Sequence, residues 1–312
     1  MRRRLVSIKM VGVAAVILVL FMAVGVAGEE LTDASGQWKY FIKDGGAAVT
    51  GYAGAPKGEL VFPGELDGVP VTDIGIGYAN DQYEGMLTIT SVTIPDTVVR
   101  IFPFPFIKFE KLERIEVLPG NPAYEAVDGV LFDKREGMLV IYPLQRAGET
   151  YAVPEGTRSI GEFAFTQNTK LTGITLPGSL AGIGNNAFSG LRGLTSIVIP
   201  GSVTIIGDSA FGWCSSLTSA TLMEGVTEIG ASAFITCRNL TRVDIPPSVT
   251  SIGFWAFASC DSLASLTIPA SVTRIGEVAF GDCDALTLTV AEGSYAEEYA
   301  KENNIPYIFT TE

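Results

Sequence analysis

An Ile-Gly pair recurs at a constant interval through the C-terminal half of the chain. Its copies begin at residues 160, 183, 206, 229, 252 and 275. An Ala-Phe pair follows at a constant offset and supplies Phe165, Phe188, Phe211, Phe234, Phe257 and Phe280. Repeats of roughly 20–50 residues are typical of solenoids, in which each unit buries its apolar side only against its neighbours. The sequence therefore predicts a stack of short coils.

Each repeat also contains an alternating apolar run that ends at a turn. One copy has Leu240, Val243 and Ile245, followed by Pro246. The alternation predicts a short strand, and proline ends the strand because it has no N–H group to donate. Gly253 indicates a tight turn or a close backbone approach. The Ala-Phe pair predicts a single helical or 3-10 turn that places the phenylalanine inside the coil.

The combined pattern resembles the leucine-rich repeats of the BspA-like surface proteins, of the Treponema pallidum type. The shared wording is L-x-x-I-x-I-P-x-S-V-x-x-I-G-x-x-A-F-x-x-C, with six copies in phase and degraded copies upstream. The resemblance implies a leucine-rich-repeat solenoid of short parallel strands. It also implies a surface adhesin that binds host matrix proteins or other microbial cells.

Both ends of the repeat array have the features of caps. Trp38–Lys43 and Ala47–Tyr52 flank Asp44, Gly45 and Gly46, a hairpin pattern. Ser294 and Glu297 form a capping box that predicts a helix to about Asn303. We therefore expect four parts: residues 1–27 as a signal peptide or uncleaved N-terminal anchor, 28–69 as an N-terminal cap with a β-hairpin, 70–290 as repeats with a longer irregular coil at about 119–155, and 291–312 as a C-terminal cap.

The segment 1–27 has the pattern of a secretory signal peptide. Arg2, Arg3, Arg4 and Lys9 precede an apolar run over residues 10–26, and a sequence of small residues ends at Ala27. The run is nearly long enough to span a membrane, so an uncleaved anchor is the alternative. In both cases the basic end stays in the cytoplasm and the rest is exported. The expected location is therefore secreted or at the cell surface.

The composition argues against catalysis and against nucleic acid. The chain has no histidine, which removes the imidazole bases and the commonest metal ligand; we expect no enzyme and no cofactor. Loss of residues 1–27 removes four basic and no acidic residues, so the formal charge moves from −13 to −17. Nucleic acids and anionic lipids bind clustered Lys and Arg. We therefore expect no nucleic-acid partner, and membrane contact only through residues 1–27 if they stay uncleaved.

Four cysteines occupy one position in four successive repeats: Cys214, Cys237, Cys260 and Cys283. Coils stacked about 4.8 Å apart spread these thiols over roughly 14 Å, too far to bind one tetrahedral zinc at about 2.3 Å each. Neighbouring Cα atoms fall within the disulfide range of about 4.4–6.8 Å, but their Cβ vectors run parallel and stay too far apart. We interpret the cysteines as buried free thiols and leave open whether neighbours ever pair.

Aromatic residues interrupt the small polar surface that follows the Ile-Gly pairs. Phe254 and Trp255 replace the polar pairs of other coils. Phe163 and Phe104 occupy the position of Trp255, and Trp213 precedes a cysteine. Exposed aromatic side chains anchor interfaces, so these five are the candidate partner-binding residues. The alternative is that they pack against neighbouring coils or a second copy of the chain.

Two functions from different classes fit a non-catalytic exported solenoid. The first is a cell-surface adhesin for a protein or glycan ligand outside the cell. The second is a soluble secreted scaffold or inhibitor module that binds another exported protein of the same cell. A surface threonine ladder could also template a repetitive ligand such as a polysaccharide or ice, although such residues equally suit half-exposed strands: Thr172, Thr195, Thr218, Thr241, Thr175, Thr221 and Thr267.

Overall fold

The structure is a computed structural model that describes residues 29–54, 56–75 and 88–311. Over these residues the chain forms a β-solenoid of about 11 coils with a spacing of about 23 residues and a single C-terminal helix. The predicted leucine-rich-repeat solenoid is therefore confirmed. The predicted signal peptide or anchor lies outside the described residues.

The N-terminal coils begin with the predicted hairpin. Its two-residue turn, Asp44 and Gly45, has φ angles of 52° and 83°, as a type I′ hairpin turn requires. The second hairpin strand then pairs in parallel with a later strand and so joins the stack. The strands of this part are β1 (Leu31–Thr32), β2 (Trp38–Lys43), β3 (Gly46–Tyr52), β4 (Gly58–Val61), β5 (Glu65–Leu66), β6 (Val69–Ile74), β7 (Ile89–Ile94), β8 (Arg100–Ile101) and β9 (Arg114–Val117), with a 3-10 helix at Phe104–Lys108.

An antiparallel segment separates the N-terminal coils from the regular repeats. It consists of β10 (Tyr124–Val127), β11 (Val130–Asp133) and β12 (Met138–Ile141). Successive side chains of a strand point to opposite faces, and the two faces of β11 pack in two different hydrophobic cores. Leu131 packs in the N-terminal core, whereas Val130 and Phe132 pack in the C-terminal core. The segment therefore divides the solenoid interior in two, while β12 pairs in parallel with the next coil.

Each regular coil contributes one strand to each of two faces. Paired residues in neighbouring coils are 23 positions apart, as in Ile183 with Ile206 and Ser196 with Ser219, except in the last pairing, where Ser265 and Thr287 are 22 apart. One face holds β13 (Thr150–Ala152), β15 (Gly173–Thr175), β17 (Ser196–Ile199), β19 (Ser219–Leu222), β21 (Arg242–Asp244), β23 (Ser265–Thr267) and β25 (Thr287–Val290). The other face holds β14 (Ser159–Ile160), β16 (Gly182–Ile183), β18 (Ile205–Ile206), β20 (Glu228–Ile229), β22 (Ser251–Ile252) and β24 (Arg274–Ile275).

A column of stacked phenylalanine rings fills the space between the two faces. Its ring centroids are 5.0–5.8 Å apart, from Phe165 to Phe280. Tyr142 stacks on the first ring at 4.9 Å, and Tyr299 meets the last ring edge-on at 6.0 Å. Each ring is thus covered on both sides by another ring, which explains why every coil needs the same residue.

The constant spacing of the coils also explains the repeated glycine. A Cβ atom at Gly253 would lie 2.5 Å from the backbone nitrogen of Ala231 in the preceding coil. Gly184, Gly207, Gly230 and Gly276 meet the backbone of the preceding coil in the same way. Close backbone approach, rather than turn geometry, therefore fixes glycine at this position.

The C-terminal cap closes the last coil with α1 (Tyr295–Glu302) and β26 (Tyr307–Phe309). The Ser294 hydroxyl accepts the Glu297 N–H at 3.3 Å, and the Glu297 carboxylate accepts the Gly293 N–H at 2.7 Å. These two hydrogen bonds form the predicted capping box at the N-terminus of the helix. The helix places Tyr299 over the end of the phenylalanine column. Among the residues that the structure describes, no helix has the length and apolar character needed to cross a membrane.

Candidate functional site

The candidate site lies on the segment between the Ile-Gly pair and the cysteine position of each regular coil. We call this surface the turn edge; it consists of residues 162–167, 185–190, 208–213, 231–236, 254–259 and 277–282. Backbone N–H groups alternate here between two partners. Ala187 donates to Gly184 within its own turn, as in a 3-10 turn, whereas Phe188 donates to Ala210 in the next coil. The alternation holds successive turn edges in strict register.

Two residues of every turn edge adopt the left-handed conformation. The non-glycine residues at these positions have φ angles of 54–60°. This conformation costs an L-amino acid roughly 1–2 kcal/mol, and Asn and Gly tolerate it best. Most coils place small or polar residues there: Asn186, Gly190, Ser209, Ser232, Thr236, Ser259 and Asp282.

The exposed apolar residues of the turn edge lie in three of the last four regular coils, and residues 231–236 separate Trp213 from the others. Phe254 and Trp255 stack on each other with ring centroids 4.5 Å apart. Phe254 is 41% exposed and Trp213 is 47% exposed, whereas Trp255 is half-buried. Val278 follows Trp255 by one coil and is 47% exposed. We call these four residues the turn-edge patch.

Val278 was not singled out by the sequence analysis. It stands one repeat period after Trp255, at a position that three other coils fill with Asn or Ser. The departure from the repeat pattern was therefore present in the sequence. In a chain with many valines, however, one valine does not indicate an exposed interface residue as clearly as a tryptophan does. In the structure, the backbone N–H of Trp255 donates to the carbonyl of Glu277, so the coil of Val278 stacks directly on that of Trp255.

The other two candidates lie apart from the patch. Phe163 is half-buried and lines a cavity of about 10 Å³ with Pro103, Phe106 and Ile141, which is room for one water molecule. It lies four coils from Trp255, roughly 19 Å at the spacing of stacked strands. Phe104 begins the 3-10 helix, and its side chain lies outside the part that the structure describes. The structure therefore joins Phe254 with Trp255 and does not place Phe163 beside them.

The four cysteines are free thiols, as the sequence analysis predicted. Three are fully buried, whereas Cys283 in the last regular coil is half-buried. Each thiol lies 3.1–3.2 Å from the carbonyl oxygen of a phenylalanine in the preceding coil. Burial raises the pKa of Cys214 to about 12 and that of Cys283 to about 11. Protonated thiols are neither good nucleophiles nor metal ligands, so the column has a packing role.

The threonine ladder is also occupied by internal contacts. The hydroxyls of Thr195, Thr218 and Thr241 donate to the carbonyl of the equivalent threonine one coil earlier, at 2.9–3.3 Å. The backbone N–H of each residue donates to the same carbonyl. These hydroxyls therefore tie neighbouring coils together rather than present free donors to a ligand.

These ladders, together with the two strands per coil, define a leucine-rich-repeat solenoid. Residues 148–263 match the family model of the BspA type leucine rich repeat region, in six copies. The sequence resemblance to BspA-type repeats is therefore confirmed for residues 148–263. Proteins built from such repeats are generally non-catalytic modules that bind other proteins. No curated protein matches the chain.

Several solved structures are similar to the chain. A leucine-rich repeat protein from Eubacterium ventriosum superposes with a TM-score of 0.56 at 21% identity, over 82% of this chain and 95% of that one. A leucine rich cell surface protein from Faecalibacterium prausnitzii gives 0.41 at 20% identity over 92% and 96%. The T. pallidum leucine rich repeat protein gives 0.37 at 26% identity over 76% and 87%. The first likeness establishes a shared fold.

Proposed function

We propose that this chain is a non-catalytic protein-binding module that acts outside the cell as a surface adhesin, and that the turn-edge patch is its binding surface. The observation that carries this proposal is a group of apolar side chains, three exposed and one half-buried, where most other coils have small polar ones. The signal-peptide pattern of residues 1–27 supports action outside the cell.

The backbone conformation at the patch indicates that its residues serve binding rather than stability. Trp213, Trp255 and Val278 all have left-handed φ angles, of 60°, 55° and 54°. A bulky or β-branched residue is unusual in this conformation, and Asn or Gly would strain the backbone less. Residues that cost stability and expose apolar area to water point to a function other than folding.

The side chains of the patch are suited to anchoring a partner. Tryptophan is among the residues most enriched at the energetic centres of protein interfaces. Stacking at 4.5 Å holds the rings of Phe254 and Trp255 against each other, so less side-chain freedom is lost when a partner covers them. The turn-edge patch is therefore partly organised before binding.

A binding comparison tests the proposal. The chain is screened for saturable binding to extracellular matrix proteins and mucins, beside the variant Phe254→Ser/Trp255→Ser. A matched control, Val198→Ser/Ile205→Ser, removes two apolar side chains that are 54% and 49% exposed on the strand faces. We expect at least a tenfold loss of affinity in the patch variant and less than a twofold change in the control. Equal affinity of the patch variant and the wild type would reject this surface.

Cell fractionation tests the location. An adhesin is expected to remain with the cell envelope, held by residues 1–27 or by another envelope component. Recovery of the protein in the medium alone would instead favour a soluble module that binds an exported partner of the same cell.

A further inference from the structure

We infer that the partner presents a short extended segment rich in arginine to the turn-edge patch. This inference rests on the proposed function and adds the chemical class of the partner to it. The inference is based on the negative charges of the turn edge and on its exposed aromatic rings.

The turn edge is acidic and has no basic residue. Across its six coils it contains four carboxylates, Glu162, Asp208, Glu277 and Asp282, and no Lys or Arg. Six basic residues occur elsewhere over residues 148–290, on other segments of the coils: Arg158, Lys170, Arg192, Arg238, Arg242 and Arg274. The separation of charge therefore follows the architecture of the coil.

Three of the four carboxylates share a coil with a residue of the turn-edge patch. Glu277 occupies the position of Phe254 one coil later, and its carbonyl accepts the backbone N–H of Trp255 at 3.3 Å. Asp208 occupies the same position two coils before Phe254, and its carboxylate accepts the Ala231 N–H at 2.7 Å. Asp282 follows Val278 in the last turn edge. Negative charge thus lies at both ends of the patch.

No cation among the described residues forms an ion pair with a carboxylate of the turn edge. Two basic residues close to the patch in sequence have partners on other segments. Arg238 pairs with Asp261 at 3.8 Å, and Arg274 donates to the Ser251 hydroxyl at 3.2 Å. The charges of these carboxylates are therefore not neutralised by a cation among the described residues, although Asp208 already accepts one backbone N–H.

Arginine satisfies both features of this surface at once. Its guanidinium group stacks on aromatic faces and donates hydrogen bonds in pairs to carboxylates. From Trp213 to Val278 the patch spans three coil steps, roughly 14 Å. An extended peptide of about four residues covers that distance at about 3.3 Å per residue. Complementary charge would also speed the encounter of the two partners.

A peptide titration tests this inference on the full chain. The probe is a labelled nine-residue peptide of alternating Arg and Ser, compared by fluorescence anisotropy with the same peptide carrying citrulline, which keeps the planar side chain without its charge. Glu277→Gln/Asp282→Asn removes two charges from the patch. Glu110→Gln/Glu113→Gln removes two exposed charges far from it and serves as the control.

We expect the arginine peptide to bind at least tenfold more tightly than the citrulline peptide. We also expect Glu277→Gln/Asp282→Asn to weaken it about five- to tenfold and the control to change it less than twofold. Equal losses in both charge variants would mean general attraction to an acidic protein and would overturn the inference. Equal binding of the citrulline peptide would also overturn it.

The two proposals fail in different ways. Suppose that Phe254→Ser/Trp255→Ser abolishes binding of a matrix ligand, while the charge variant alters neither the affinity for that ligand nor the affinity for the arginine peptide. The patch is then the binding surface and the arginine preference is wrong. If the aromatic variant leaves ligand binding unchanged, the proposed function of the patch is wrong, whatever the peptide does.

Discussion

Individual glycines in this chain are fixed by the distance between coils. Five of the six Ile-Gly glycines, from Gly184 to Gly276, have no room for a Cβ atom against the preceding coil, whereas Gly178 has no heavy atom within 4 Å of the position its Cβ would take. The sequence alone left two reasons for the repeated glycine, a turn or a close approach. Only the contact between coils distinguishes them.

The first prediction compares two glycine substitutions. Gly253→Ala forces backbone atoms of neighbouring coils apart, and we expect it to lower the free energy of unfolding by about 1–3 kcal/mol. Gly178→Ala meets no such contact and should be neutral or stabilise by up to about 1 kcal/mol. Urea denaturation of both variants measures the difference. Equal effects would contradict the close-approach explanation.

The second prediction concerns the buried thiols at high pH. The folded protein keeps the Cys214 proton to a pKa of about 12, while an unfolded thiol loses it near pH 9. The folded state therefore binds more protons, so stability is full below about pH 9 and falls as the pH rises toward 12. The expected slope is about 1.4 kcal/mol per pH unit for each buried thiol.

Denaturation at several pH values between 8 and 11 measures this slope. A variant with all four cysteines changed to alanine should be less stable at pH 8 and should lose less stability on going to pH 11. The same slope in both proteins would assign the pH dependence to other groups.

Among the structural elements, α1 has a specific task at the end of the phenylalanine column. The Tyr299 ring covers Phe280, its hydroxyl accepts the Ala279 N–H at 3.1 Å, and it lies 3.3 Å from the Gly276 carbonyl. The helix thus supplies the neighbour that the last coil would otherwise lack. A solenoid needs such caps because its terminal coils expose core.

The third prediction removes the hydroxyl of Tyr299. Tyr299→Phe keeps the ring and loses its hydrogen bonds, and we expect a loss of about 1 kcal/mol in the free energy of unfolding. Tyr295→Phe changes an exposed tyrosine of the same helix and should alter it by less than about 0.5 kcal/mol. Thermal denaturation compares the two, and equal shifts would argue against the capping contact.

Elements that follow from local sequence or from the period could be predicted, and others could not. The hairpin around Asp44 and Gly45 and the helix after Ser294 depend on neighbouring positions in the sequence, and the cysteine column depends on translation by one repeat period. The division of the core at β11 depends on which face of the strand each side chain lies on. The 23-residue repeat does not extend to this segment, so the repeat pattern could not predict that division. Left-handed residues were missed because serine, valine and tryptophan do not signal that conformation.

On the scale of the whole molecule, regular repetition makes deviations informative. Every regular coil packs against its neighbours with the same set of core residues. A side chain that departs from the repeat and faces solvent is therefore not required for packing between coils. The turn-edge patch consists of such departures. The candidate residues Phe254, Trp255 and Trp213 were visible in the sequence for this reason. The repeat period already places Phe163 four coils from Trp255, and the structure adds that Phe254 stacks on Trp255 whereas Phe163 lines a cavity.

The fourth prediction tests the central claim, that the turn-edge patch serves binding rather than folding. In Trp255→Asn/Val278→Asn, asparagine suits the left-handed backbone, and relief of strain offsets the lost packing. The measurement is the free energy of unfolding and the affinity for a captured extracellular ligand on the same preparation. We expect stability within about 1 kcal/mol of the wild type and at least a tenfold loss of affinity. A marked loss of stability with unchanged affinity would contradict the account and assign these residues to the stack.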